Sequence, residues 1–236
     1  MHLYYIMFTM VDGVLDHKEM TEEHDASLEE FFNAAVNGNA HRLQQLLDEH
    51  RININATNDW GRTAIQVFKC SRPDIAEILL KHGADPNIQD KHFQDLHLSS
   101  YRTPAHDIAE QGFLDTMKVL LKHGADVTLR SKMGYSPAHI AAEKGRLDTL
   151  EYLSGAIDLM NCRADDGSTP FDLIPKSITL TDRQRTWVEA EKNAKPKSLK
   201  YLTRLRIRHC MRHNLKRLQT FPTLPLSIKK YLLLQD

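Results

Sequence analysis

The chain copies itself. His82-Gly83-Ala84-Asp85 recurs as His123-Gly124-Ala125-Asp126, each directly after Leu-Leu-Lys. A second marker runs Gly-Arg-Thr63-Ala64, Tyr-Arg-Thr103-Pro104, Gly-Tyr-Ser136-Pro137 and Gly-Ser-Thr169-Pro170, its hydroxyl residues spaced by 40, 33 and 33 positions. A fixed period of this size means a small unit that cannot bury its apolar face alone, so that copies must stack and share one continuous core. The longer first spacing places an insertion around Lys91 to Tyr101, in a loop.

Each unit has a readable start, middle and end. A Ser or Thr hydroxyl caps a first helix and Pro follows, its φ already helical and its missing N–H not needed there. A second helix shows Leu114, Met117, Leu120 and Leu121 in one copy and Leu147, Leu150 and Leu153 in the next, an apolar stripe that faces a neighbouring unit. Gly83 and Gly124 then take the left-handed cap. These motifs resemble the ankyrin repeat, with units at about 27–59, 60–92, 101–132 and 133–165, a degenerate fifth at about 166–195, and residues 1–26 as a flexible leading segment. The resemblance implies an all-α solenoid of helix-turn-helix repeats with β-hairpin loops. Such stacks bind proteins, but the fold names no partner, because function sits in the surface residues.

Composition narrows the function. Hydrophobic residues make up 41% of the chain and charged ones 26%, a globular profile. No apolar run reaches the roughly 20 residues that a bilayer-spanning helix needs, and the first eleven residues lack the basic start and cleavage site of a secretory signal. Cys70, Cys162 and Cys210 are far apart and form no C-x-x-C pair, which argues against disulfides and zinc and for a reducing compartment, cytoplasmic or nuclear. The thirteen histidines show no metal-ligand spacing. In the resemblance, His106 and His139 take the place of a histidine that bonds within its own and the next repeat. His82 and His123 precede capping glycines, where a polar or cationic group suits a helix end. Without a phosphate-cradling loop, nucleophile elbow or kinase signature, the chain reads as a non-enzyme that needs no cofactor and no metal.

The second repeat is unusual, because Ala64 to Asp74 is too β-branched, and too soon interrupted by Pro73, for two good helical turns. Its first helix is expected to be a single turn. Together with Ala105-His106-Asp107-Ile108-Ala109-Glu110-Gln111-Gly112-Phe113-Leu114-Asp115-Thr116, this segment resembles the ankyrin-type inhibitors of the cyclin-D-dependent kinases. That resemblance implies Asp107 as the leading kinase contact, pairing with a target Arg or Lys, with Asp90 and Phe68 behind it. The plain alternative makes Asp107 and Asp115 ordinary helix-terminus carboxylates. Asn39-Ala40-His41-Arg42 departs from the acid common in those relatives, and the insertion falls inside the expected contact face.

The net charge of zero hides a split, for residues 197–236 hold ten basic side chains and one acidic, leaving the first 196 residues with an acidic excess of nine. A nucleic-acid arm, a basic amphipathic helix and a cap on the repeat stack each account for part of this tail. The order of its residues is similar to a SOCS box. Ser198-Leu199-Lys200-Tyr201-Leu202-Thr203-Arg204-Leu205-Arg206-Ile207-Arg208 puts Leu199, Leu202, Thr203, Ile207 and Cys210 on one side of a helix, the form of an anchor for a partner groove. In the family that partner is elongin C. Leu224-Pro225-Leu226-Ser227, followed by Ile228-Lys229-Lys230-Tyr231-Leu232, matches the cullin-5-selecting half, with Ser227 in place of a second proline and Thr203 in place of a frequent cysteine.

The resemblances together imply a substrate receptor that joins a target to elongins B and C, cullin-5 and a RING subunit for ubiquitination, with no nucleic acid and no membrane involved. The alternative is a direct inhibitor of a cyclin-dependent kinase acting through the second and third repeats. A basic-tail nucleic-acid binder is the third reading, marked by steep salt dependence. An unpartnered SOCS box exposes apolar surface, so poor solubility without elongins is expected.

Overall fold

The computed structural model describes residues 17–49, 52–90 and 100–193. The sequence insertion at 91–99 and the whole tail from residue 194 lie outside the described residues. The elements are α1 (His17–Asn37), α2 (Ala40–Glu49), α3 (Ala64–Val67), α4 (Pro73–Lys81), α5 (Pro104–Gln111), α6 (Leu114–Lys122), α7 (Pro137–Glu143), α8 (Leu147–Ser154), a 3-10 helix at Pro170–Leu173 and α9 (Asp182–Lys192). No strand occurs among the described residues. The hairpins between repeats are held by turns, with one isolated bridge between Thr57 and Thr63.

Two helical layers result. First helices α1, α3, α5, α7 and the 3-10 helix pack in sequence, and second helices α2, α4, α6 and α8 form the other layer. The predicted stripe is the core, with Met117, Leu120, Leu121, Leu150 and Leu153 almost wholly buried alongside Phe31, Leu43, Leu79 and Ile108. Burying one such side chain is worth about 2 kcal/mol, so each repeat holds its neighbours. The second repeat's first helix is the single turn that its sequence predicts, Ala64–Val67. Thr169-Pro170 starts a 3-10 turn rather than a full helix, in keeping with a degenerate unit.

The ends differ. Helix α1 already runs from His17, ten residues before the start of the first repeat read from sequence. At the other end α9 packs Val188 inward and tilts Trp187 against Phe171 at 5.9 Å, while Arg183 reaches back to Glu151 at 3.0 Å. Its Asp182, Arg185 and Glu189 stay exposed, which gives the stack the polar outer face that a terminal unit needs.

Candidate functional site

The repeat starts build a relay that fixes the first helices. Thr103, preceding α5, donates its backbone N–H to His106 Nδ1 at 3.0 Å, and its hydroxyl shares that nitrogen at 2.8 Å. Nδ1 must therefore be unprotonated, so Nε2–H donates onward to the carbonyl of Tyr135 in the next repeat at 2.9 Å. Ser136 and His139 repeat the arrangement, with Nε2 reaching Ser168 O at 3.2 Å. Gln66 does the same work as an amide, taking Thr63 N–H at 2.9 Å and giving to Ile88 O at 3.4 Å. Asp172 accepts from Thr169 at 2.8 Å but has no proton to pass on. Burial pushes His106 down to about 4 and also lowers His139, which keeps both neutral. These histidines are scaffold, as the sequence reading expected.

The charged cluster lies beside this relay. Asp107, in the first turn of α5, accepts from Arg62 Nη2 at 2.6 Å and pairs with Arg102 Nε at 3.0 Å. Arg102 also reaches Glu110 at 2.5 Å, and Lys144, which caps the C-terminus of α7, lies 3.7 Å from Glu110. The network thus crosses the second, third and fourth repeats. Asp107 is three-quarters covered, and burial raises its pKa although Arg102 and Arg62 oppose the shift. Burial also disfavours charge on Glu110, but the Arg102 hydrogen bond and charge outweigh it and the net shift is downward.

The three residues named as target contacts meet different fates. Asp107 sits in the cluster, already matched by two intramolecular arginines. Asp90 accepts from Arg102 N at 2.7 Å and from the Ser100 hydroxyl at 2.7 Å. Phe68 is in the core, 4% exposed. Asp115 is solvated beside Lys118 at 3.2 Å. Arg62 and Arg102 were missed by the sequence reading, yet each immediately precedes a capping threonine, a repeated position that marks them. The elongin-side residues Leu199, Leu202, Thr203 and Ile207 and the cullin-side residues Leu224, Pro225 and Leu226 lie outside the described residues.

The two described thiols are not poised for chemistry. Cys162 Sγ lies 3.3 Å from Ser136 Oγ and 3.9 Å from His139 Nδ1, but that nitrogen already serves the repeat start, and burial raises the thiol pKa. Burial likewise pushes Cys70 up to about 11, with Asp107 adding to the shift. No group of three or more ligating side chains that could hold a metal occurs among the described residues. None of the described helices is long and apolar enough to cross a membrane.

Comparison with known proteins covers both parts of the chain. Family models for ankyrin repeats match residues 60–91 and, as three copies, 89–163, and the SOCS box model matches residues 195–233. Cyclin-dependent kinase 4 inhibitor B of Bos taurus is 41% identical over 85 residues, 36% of this chain and 59% of that protein. Cyclin-dependent kinase inhibitor 2A of Monodelphis domestica is 36% identical over 118 residues, 50% of this chain and 64% of its own length. The Homo sapiens inhibitor B is 40% identical over 84 residues, 36% of this chain and 55% of that protein. The chain thus spans about three-fifths of the length of these relatives.

Proposed function

The chain is built of ankyrin repeats followed by a SOCS box, and we propose that it is the substrate-recognition subunit of an elongin B/C and cullin-5 ubiquitin ligase. Both matched modules are non-catalytic interaction modules, so the protein acts as an adaptor and the chemistry happens elsewhere. Its contribution is proximity, because tethering raises the effective concentration of target lysines near the charged conjugating enzyme. The observation that carries this reading is the box match over residues 195–233, immediately after a stack that α9 already closes with a polar face. A stack so closed has no need of a further cap, which favours a separate role for the tail.

Within the box, Leu199, Leu202, Thr203 and Ile207 are the elongin C anchors, and Leu224, Pro225 and Leu226 select cullin-5 with its RING subunit. The target sits in the ankyrin groove beside Asp107. Kinase-inhibitor relatives at about 40% identity support a cyclin-dependent kinase as that target, and they equally support the second reading, direct kinase inhibition. In either case Asp107 must exchange an internal arginine for a target cation, while Asp90 is engaged with Ser100 and Arg102 and Phe68 lies in the core. The free Cys70 and Cys162 suit a cytoplasmic or nuclear site.

The test is co-expression of the full chain, and separately of residues 1–196, with elongins B and C, read by size-exclusion chromatography. Only the full chain is expected to co-elute stoichiometrically, and Leu199→Ala with Leu202→Ala is expected to abolish the complex, because two apolar anchors are truncated. Normal co-elution of the double variant would remove the box assignment. Kinase binding at unchanged affinity by Asp107→Ala would remove Asp107 as the contact.

A further inference from the structure

The two arginines that hold Asp107 are themselves held very differently. Arg102 also reaches Glu110 and the carbonyl of His106, so that giving up Asp107 would leave it two partners. Arg62 reaches Asp107 through Nη2 at 2.6 Å, and among the described residues its guanidinium has no second partner, with Nε buried and making no hydrogen bond. It is also the more exposed of the two, at 34% against 23%. A target cation that claims Asp107 therefore displaces Arg62 and leaves Arg102 in place. The backbone of Arg62 does not follow its side chain. Asn58 Oδ1 accepts from Trp60 N at 3.1 Å and from Arg62 N at 3.0 Å, and Asn58 N donates to Arg62 O at 2.9 Å. The displaced guanidinium thus swings from a fixed point and stays within one side-chain length of Asp107.

Inside an interface, a guanidinium stripped of its carboxylate is a desolvated and unpaired charge, which is strongly destabilising. The other described carboxylates of this cluster are engaged, Glu110 with Arg102 and Lys144, and Asp90 with the Ser100 hydroxyl and Arg102 N. We infer, on the reading that the target docks beside Asp107, that the target carries a carboxylate next to its cation and that Arg62 is the residue that reads it. One internal pair then breaks and two form across the interface, target cation to Asp107 and Arg62 to target carboxylate. A target that brings a cation alone strands Arg62 and is rejected, so specificity comes from a penalty as well as from a contact. The planar fork of Arg suits a carboxylate, which it can grip with two parallel N–H bonds. Trp60, 67% exposed on the same turn, adds apolar surface beside the new pair, and Trp and Arg are the residue types that most often anchor interfaces.

Carbodiimide coupling of the full-length Arg62→Lys variant tests this, because the reagent joins an amine, with loss of water, to a carboxylate that it touches. In the free chain the link is expected to Asp107. With purified cyclin-dependent kinase 4 bound, the kinase in the relatives' names, that link is expected to give way to one with a kinase Asp or Glu, located by mass spectrometry. Arg62→Gln is expected to bind the kinase at least about tenfold more weakly than wild type, the loss typical of a central anchor. Three results would each overturn the exchange while leaving the target reading standing. They are a link to Asp107 that persists in the complex, its loss with no link to the kinase, and Arg62→Gln binding as tightly as wild type or more so. A wild type that binds no kinase would overturn the exchange and the target reading together.

Discussion

At the scale of single residues, the relay at each repeat start decides how acid acts on the fold. His106 is fully buried and titrates near 4, below its ordinary 6.5. A group whose folded pKa is depressed in this way binds protons more readily when unfolded. Its contribution to stability is therefore complete above the ordinary value and is lost as pH falls from about 6.5 towards 4, on the order of 3 kcal/mol in all. Gln66 shows that an amide fills the same role without titrating. His106→Gln is accordingly expected to keep neutral-pH stability within about 1 kcal/mol, the worth of one hydrogen bond, and to flatten the acid slope. Urea midpoints of both proteins at a series of pH values check this, and an unchanged slope would show that His106 is not the group responsible. Asp107 works in the opposite sense, because its raised pKa makes its burial most costly above that pKa and relieves the cost as pH falls. The histidine relay was legible in Thr-Pro-Ala-His, where the partners are three residues apart. The Asp107 pairing was not, because Arg62 lies 45 residues away and only stacking brings the two together.

At the scale of elements, the glycines that end the turns differ in what surrounds them. Gly83 has φ 95° and nothing within 4 Å of the place a Cβ would take, whereas at Gly134, φ 73°, a Cβ would lie 2.7 Å from the backbone nitrogen of Asp165 and closer still to its carboxylate. Gly83→Ala therefore carries only the left-handed penalty, about 1 kcal/mol. Gly134→Ala adds a clash with the next hairpin that no side-chain rotation removes, and a loss of about 3 kcal/mol is expected from strain and overpacking together. Thermal melts of the two variants rank them, and equal losses would mean that the hairpin row yields easily. The short α3 and the caps at Thr103 and Ser136 were legible from Pro73 and from Ser/Thr-Pro, since local chemistry sets them. Tyr101 was not. It holds φ 53° two residues before Thr103, where the other hairpins have Gly61, Gly134 and Gly167. Its conformation is imposed by the clasp of Asp90 on Arg102 and by Gln89 Nε2 donating to the Tyr101 carbonyl at 3.0 Å, contacts that no local pattern records.

For the whole molecule, the charge split and the closed end of the stack point to two modules that fold separately and act together. Repeat stability is a sum of units and their interfaces, and α9 supplies the last interface through Val188, Trp187 and the Arg183 to Glu151 pair. Residues 17–193 are thus expected to melt cooperatively with undiminished helical circular dichroism, and a collapse of helical signal on removing the tail would make the tail part of the stack. The proposed function gives the two halves of the tail separate partners. Leu199 and Leu202 precede Leu224, Pro225 and Leu226 by more than twenty residues, so a change in the second group is expected to spare the proposed elongin anchor. Ser227 stands where the resemblance has a second proline, while Leu224-Pro225-Leu226 is kept. Leu224→Ala combined with Pro225→Ala and Leu226→Ala is therefore expected to retain stoichiometric elongins B and C while losing at least about tenfold in cullin-5 affinity, the effect of deleting central apolar anchors. Titration of cullin-5 into the purified ternary complex measures it. Retained cullin-5 binding would move cullin selection to another part of the box, and loss of elongins as well would show that the two halves form one cooperative unit.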